Sequence, residues 1–141
     1  MGPLTTSRRV EFRDTDAAGI VHFSAFFFWM ESVEHELLRS AGVAVVERGS
    51  DGIDASWPRV SASCDYLAPI RFGDEVTVSA GVERVGGASV TYRFAFTHDG
   101  RPVANGRMVA VRCLMRPSSG PEATQIPDDI RSRLERFLSP G

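Results

Sequence analysis

Two aspartates, a glycine, a histidine and an aromatic run crowd into "EFRDTDAAGIVHFSAFFFWME", residues 11–31. An isolated D-x-D reads first as a turn, because Asp side chains bond nearby backbone N–H groups. The residues after the pair give it a chemical reading. Ser24 is a good helix N-cap, no Gly or Pro intervenes before Gly42, and Leu37, Leu38 and Ala41 continue the apolar spacing. A helix of about 17 residues, roughly 26 Å long, is therefore predicted between Ser24 and Gly42, with Gly42 as its stop. Its first amides lack internal partners and carry roughly +0.5 charge. Asp16 stands just before that positive end, which makes it a candidate site carboxylate. Gly19 can adopt positive φ or let a ligand come close. Glu31 and His35 share a helix face at i, i+4. With no third ligand at suitable spacing, no metal is expected.

The elements that hold these residues are set by patterning. "RRVEFR" at 8–13 alternates as a half-buried strand, with Val10 and Phe12 on one face. "FFFWM" is apolar on every side, which suits a helix buried on most of its surface, whereas "ESVEHELLRS" is amphipathic. After a polar linker at 47–56, Val60, Ala62, Cys64 and Tyr66 alternate in one run, Val76, Val78, Ala80 and Val82 in the next, and Val90, Tyr92, Phe94 and Phe96 in a third. "GG" at 86–87 and "DG" at 99–100 suit tight hairpins. A last long run, "PVANGRMVAVRCLM", holds Gly106, a candidate bulge. Pro127, Asp128 and Asp129 signal a short C-terminal helix in "PDDIRSRLERFL". A helix apolar on most sides needs a sheet curved around it.

With 141 residues the chain is expected to form one domain, 1–141, large enough for a real core. A hydrophobic content of 43%, a charged content of 24% and a net charge of -2 give no global pull toward nucleic acid or an anionic membrane. Cys64 and Cys113 fit neither a metal pair nor a disulfide framework and read as buried thiols in a reducing compartment. "MGPLTTSRRV" lacks an apolar signal core, and the apolar stretch at 25–30 is too short to span a bilayer. A cytoplasmic protein is expected.

"FRDTDAAGIVHFSAFFFWME", with "CDYLAPIRFGDEVTV" and "IPDDIRSRL" further on, resembles the hotdog-fold acyl-CoA thioesterases of the 4-hydroxybenzoyl-CoA type, from Val10 to about Leu138. The motif D-x-D-x-x-G-I-V joined to an aromatic helix is its specific part. The resemblance implies an α+β hotdog fold: an antiparallel five-stranded sheet wrapped around a long central helix, plus a short C-terminal helix. It also implies edge-to-edge homodimers, often paired into homotetramers, with the site at the dimer interface. Asp16 takes the place of the catalytic carboxylate, and the Phe23 backbone N–H that of the donor to the thioester carbonyl.

The implied reaction is hydrolysis of an aryl- or short-acyl-CoA to free acid and CoA, with no cofactor beyond the CoA of the substrate. Asp16 would act either as nucleophile or as base, and Asp14 would bond the turn and hold Asp16. His22 would contact substrate or tune the carboxylate, and Glu31 would meet the far end of the acyl group or replace Asp16 as the acid. Phe27 and Trp57 would line the acyl pocket with other aromatics. CoA phosphates call for cations near the mouth. Basic residues common at the third hairpin of relatives are replaced here by Gly86 and Gly87, leaving Arg84 nearby and Arg107, Arg112 and Arg116 on or after the last strand, so a carrier-protein or other non-CoA thioester stays open. Two rivals carry their own signatures. A hotdog enoyl-CoA hydratase or dehydratase needs an Asp–His pair, which only Asp16 with His22 imitates, and a non-catalytic acyl-binding module would bind without turnover.

Overall fold

The computed structural model describes residues 2–139. Strand β1, Leu4–Arg9, leads through a 3-10 turn at Phe12–Asp14 to helix α1, Ala25–Ala41. Then come β2 (Asp54–Ser56), β3 (Arg59–Tyr66), β4 (Glu75–Val85), β5 (Ser89–His98), β6 (Arg101–Val111), β7 (Cys113–Arg116), β8 (Gly120–Ala123) and α2 (Asp128–Glu135). The main sheet is antiparallel throughout, in the order β1-β4-β5-β6-β3. It curves over α1 and has α2 against it, the hotdog arrangement expected from the sequence.

The central strands follow their alternation. Val76, Val78, Ala80 and Val82 of β4 and Val90, Tyr92, Phe94 and Phe96 of β5 all point into the core, since one face of a half-covered sheet buries every second residue. Asp99 and Gly100 both take positive φ, the two-residue turn that matches strand twist. From α1, Phe26, Met30, Val33 and Leu37 face this layer and are fully buried. Gly42 closes the helix in the left-handed conformation, its N–H donating to the Arg39 and Leu38 carbonyls.

Several expectations are corrected. The first strand is Leu4–Arg9, not 8–13, and Phe12 lies exposed in the 3-10 turn. β1 carries no apolar alternation because it is an edge strand: its Arg8 bonds Ser32 and Glu36, laying a polar side chain over the flank of α1. The "FFFWM" segment is buried on most of its surface, as expected, with Phe28 alone of its five residues exposed. Gly106 marks no bulge. It pairs in register with Cys64 and Phe94, and a Cβ there would run into the Met30 thioether, so its missing side chain makes room for Met30 of α1 against β6. The last long run breaks at Arg112, whose side chain is buried over the Trp57 ring and paired with Glu47. Beyond it β7 joins β2 and β8 in a second, three-stranded sheet, built partly from the stretch read as a polar linker. Both cysteines are free, with Cys113 buried and Cys64 only half-buried.

Candidate active site

Between β1 and α1 the chain folds back on itself. Thr15 and Val21 form an antiparallel bridge, Asp16 N–H donates to the Ile20 carbonyl at 2.9 Å, and Gly19 N–H donates to the Asp16 carbonyl at 3.0 Å. Gly19 takes φ +82°, a value L side chains rarely adopt, which is why glycine stands at this corner. Asp16 Oδ1 accepts the Ala18 N–H at 2.8 Å, leaving Oδ2 without a protein donor among the described residues. Asp14 anchors the preceding turn: its Oδ2 accepts the Glu11 N–H at 2.8 Å and its carbonyl accepts the His22 N–H at 2.7 Å. It therefore fixes the two ends of the Asp16 loop rather than bonding the Asp16 side chain.

Where the loop enters α1, Ser24 is already helical and caps nothing with its own side chain. His22 takes that role, with Nδ1 2.7 Å from Ser24 Oγ and accepting the Ser24 N–H at 3.2 Å. The His22 ring also stacks on Phe23, centroids 4.4 Å apart. Among the described residues the Phe23 N–H meets no protein acceptor. The first turn of α1 holds no acid. The positive helix end is thus left for a ligand.

Asp16 and Phe23 line one cleft of about 460 Å³, together with Ile20, Val21, Phe26, Tyr66 and the loop from Leu67 to Ile70. That size lies within the usual range for small-molecule sites, and the walls are mostly apolar as such sites require. Val21 N–H donates to the Ile70 carbonyl at 2.8 Å, tying the Asp16 loop to the opposite wall. Asp16, Phe23 with its unpartnered amide, and the aromatic residues Phe26 and Tyr66 all belong to the lining of the same space. This is what attack on a polarised carbonyl needs.

The other candidates stand apart from this lining within one chain. His22 serves the helix start, Gly19 the loop corner, and Phe27 packs partly buried on the core. Glu31 is exposed on α1. Trp57 is enclosed in the core, stacked by Arg112, rather than open to the cleft. Tyr66 is the site residue that sequence reasoning passed over. In the alternation of β3 it looks like one more inward strand residue, yet its ring packs edge-on to Phe26 at 5.4 Å and its hydroxyl donates to the Phe23 carbonyl at 3.0 Å.

The sequence profile of the thioesterase superfamily matches residues 18–105, more than half of the chain. This chain belongs to the thioesterase superfamily. A 1,4-dihydroxy-2-naphthoyl-CoA hydrolase of Synechococcus sp. (strain WH7803) is 31% identical over 143 residues, covering 96% of this chain and 90% of its own. The corresponding hydrolase of Prochlorococcus marinus (strain NATL2A) is 30% identical over 108 residues, covering 72% of this chain and 70% of its own. Among solved structures, a gentisyl-coenzyme A thioesterase superposes with a TM-score of 0.78 at 27% identity, covering 93% of this chain and 99% of the other. The 1,4-dihydroxy-2-naphthoyl-CoA thioesterase from Synechocystis gives a TM-score of 0.81 at 22% identity, over 94% of this chain and 96% of its own, and shows the shared fold. The superfamily match begins two residues after Asp16 and takes in Gly19, Phe23 and Tyr66.

Proposed function

We propose that this protein is an acyl-CoA thioesterase that hydrolyses an aryl- or short-acyl-CoA to the free acid and CoA. The observation that carries the reading is the presence of Asp16 and the unpartnered Phe23 amide in one cleft. The thioester oxygen accepts the Phe23 N–H, and the positive end of α1 stabilises the charge that grows on that oxygen. Asp16 either attacks the carbonyl carbon, forming a mixed anhydride that water then opens, or draws a proton from the attacking water. In both routes the C–S bond breaks and the electron pair leaves on sulfur. A thiol of pKa about 8.5 departs as thiolate, so one carboxylate suffices. Phe26 and Tyr66 offer ring faces and edges to an aromatic acyl group.

Hydrolysis is favoured over hydration by His22. Its Nδ1 is committed to Ser24, and it stands outside the cleft lining, so the Asp–His pair that hydration needs is not assembled. For a CoA carrier, Arg107 and Arg116 are held in ion pairs with Glu83 and Glu122, and Arg112 is buried. Arg71, with Nη1 3.4 Å from the Gly19 carbonyl, brings a cation beside the Asp16 loop for a phosphate to meet. A panel of benzoyl-, hydroxybenzoyl-, acetyl- and long-chain acyl-CoA thioesters, read by thiol release, tests the assignment. Turnover is expected with aroyl or short acyl groups. Hydration of enoyl-CoA without thiol release would replace this reading.

The working unit is a homodimer, paired further as a homotetramer or not, in a cytoplasmic setting that suits two free thiols. No helix among the described residues is long and apolar enough to cross a membrane. Support for the dimer comes from β3, an eight-residue strand on the sheet edge with Val60, Ala62 and Tyr66 all exposed. An edge of this length and character presents a row of N–H and C=O groups as a template for another strand. Ala62, at the middle of β3, is exposed, so Ala62→Lys puts a cation on this edge of each copy without disturbing the core. Light scattering after gel filtration is expected to show wild-type dimer or tetramer and largely monomeric Ala62→Lys.

A further inference from the structure

The turn that presents the Phe23 N–H is held from two directions. From its own side, His22 N–H donates to the Asp14 carbonyl at 2.7 Å, Ala25 N–H to the His22 carbonyl at 3.0 Å, and Ser24 N–H to His22 Nδ1 at 3.2 Å. Across the cleft, the Tyr66 hydroxyl donates to the Phe23 carbonyl at 3.0 Å, bridging 43 positions of sequence. These bonds act on three successive peptide planes, and the last of them, between residues 23 and 24, is held at both ends. The Asp14 carbonyl holds the peptide before His22, and the Ala25 N–H holds the His22 carbonyl, on the peptide that carries the Phe23 N–H; the next peptide is held at its N–H by His22 Nδ1 and at its carbonyl by Tyr66, which together set the rotation about the Phe23 Cα–C bond.

Tyr66 is itself well anchored for this task. It ends β3, pairs with Ala104 of β6, and is followed by Leu67, whose N–H donates to the Val103 carbonyl at 2.9 Å. Its ring is seated against Phe26, which also touches Phe96 at 5.2 Å. Desolvation holds its hydroxyl above the usual phenol range, so it stays a neutral donor at working pH. Nothing in the chemistry derived above requires this hydroxyl: the carbonyl it binds is not the group that meets substrate.

We propose that Tyr66 is a positioning residue whose hydroxyl bond to the Phe23 carbonyl locks the turn carrying the amide donor, so that the edge strand and the oxyanion site move as one body. A consequence is that the strand on which a second copy would pair is mechanically linked to the amide that polarises the thioester. The proposal rests on the thioesterase reading for its kinetic arm, and on the hydrogen bond alone for its structural arm.

Tyr66→Phe keeps the ring and its packing on Phe26 and removes only the hydroxyl. With the best aroyl-CoA of the panel, kcat is expected to fall about 10- to 100-fold, the usual cost of loosened geometry at a reacting centre, with KM changed less than about threefold. A loss confined to KM, or no loss, overturns the proposal and leaves Tyr66 as cleft wall only. In parallel, the 15N–1H resonances of Phe23 and Ser24 are recorded for both proteins. The Ser24 N–H belongs to the peptide whose carbonyl Tyr66 binds, so both signals should shift and broaden in Tyr66→Phe while those of β4 and β5 stay in place. Unmoved Phe23 and Ser24 signals overturn the proposal even if no thioester is turned over by the wild type, a result that by itself would count against the thioesterase reading instead.

Discussion

Asp16→Asn is expected to lower CoA-thioester hydrolysis by about 100-fold or more, the worth of a positioned base or nucleophile, with the fold intact. The substitution is unusually clean at this position. The native side chain accepts the Ala18 N–H through Oδ1, and an asparagine oxygen can accept the same bond, so the loop between Thr15 and Val21 keeps its shape. What disappears is the negative charge and the basic or nucleophilic oxygen that the Ala18 bond leaves unused. The Phe23 amide and the helix end remain, so substrate still binds and the loss falls on kcat rather than KM. Thiol release under saturating substrate measures the rate, and coincident melting curves show that the fold is unchanged. Turnover equal to wild type would remove Asp16 from the chemistry, and substrate affinity without any turnover in either protein would favour the acyl-binding module.

Much of this site could be read from the chain because its parts are local. The loop, the Gly19 corner and the start of α1 fall within ten residues of Asp16, where spacing and turn chemistry speak directly. The ends of α1 were legible for the same reason, with Gly42 as a stop. The Ser24 cap was only half legible: the helix begins there, but its amide is met by His22, because Ser24 has itself entered helical geometry. Tyr66 could not be found this way. Its partner is 43 residues distant, and aromatic residues alternating in a strand signify burial far more often than a hydroxyl aimed at a backbone carbonyl. Trp57 misled in the opposite sense, since a tryptophan before a strand suits a pocket wall and a core equally, and buried Arg112 stacking on it decides for the core. β1 escaped the search for apolar periodicity because an edge strand covered by Arg8 and threonines has none.

The same core holds a charge whose cost should be visible in solution. Glu34 is fully enclosed on α1, its Oε1 bonded by Arg59 Nη2 and its Oε2 without a donor among the described residues. Burial pushes its carboxyl up to about 7, against the pull of the Arg59 guanidinium and with some help from the Glu31 charge. Tyr92 of β5 and His35 of α1 are the other titratable neighbours. An unfolded glutamate ionises near 4.5, so between 4.5 and 7 the folded chain holds a proton that the unfolded chain has released. Stability from this group is therefore complete below pH 4.5 and is lost as pH rises through 7, on the order of 3 kcal/mol in all. His35 acts with the opposite sign. Burial and Arg59 lower its pKa, so its contribution is lost as pH falls below 6.5. The two effects overlap in the wild type, and Glu34→Gln separates them, because glutamine keeps an oxygen for Arg59 and cannot titrate. Urea unfolding at about pH 4.5, 6 and 8 is expected to show the variant gaining on the wild type by about 3 kcal/mol across the series, with most of the gain before about pH 7. Parallel curves would mean that Arg59 keeps Glu34 ionised throughout, and that burial is outweighed by the ion pair.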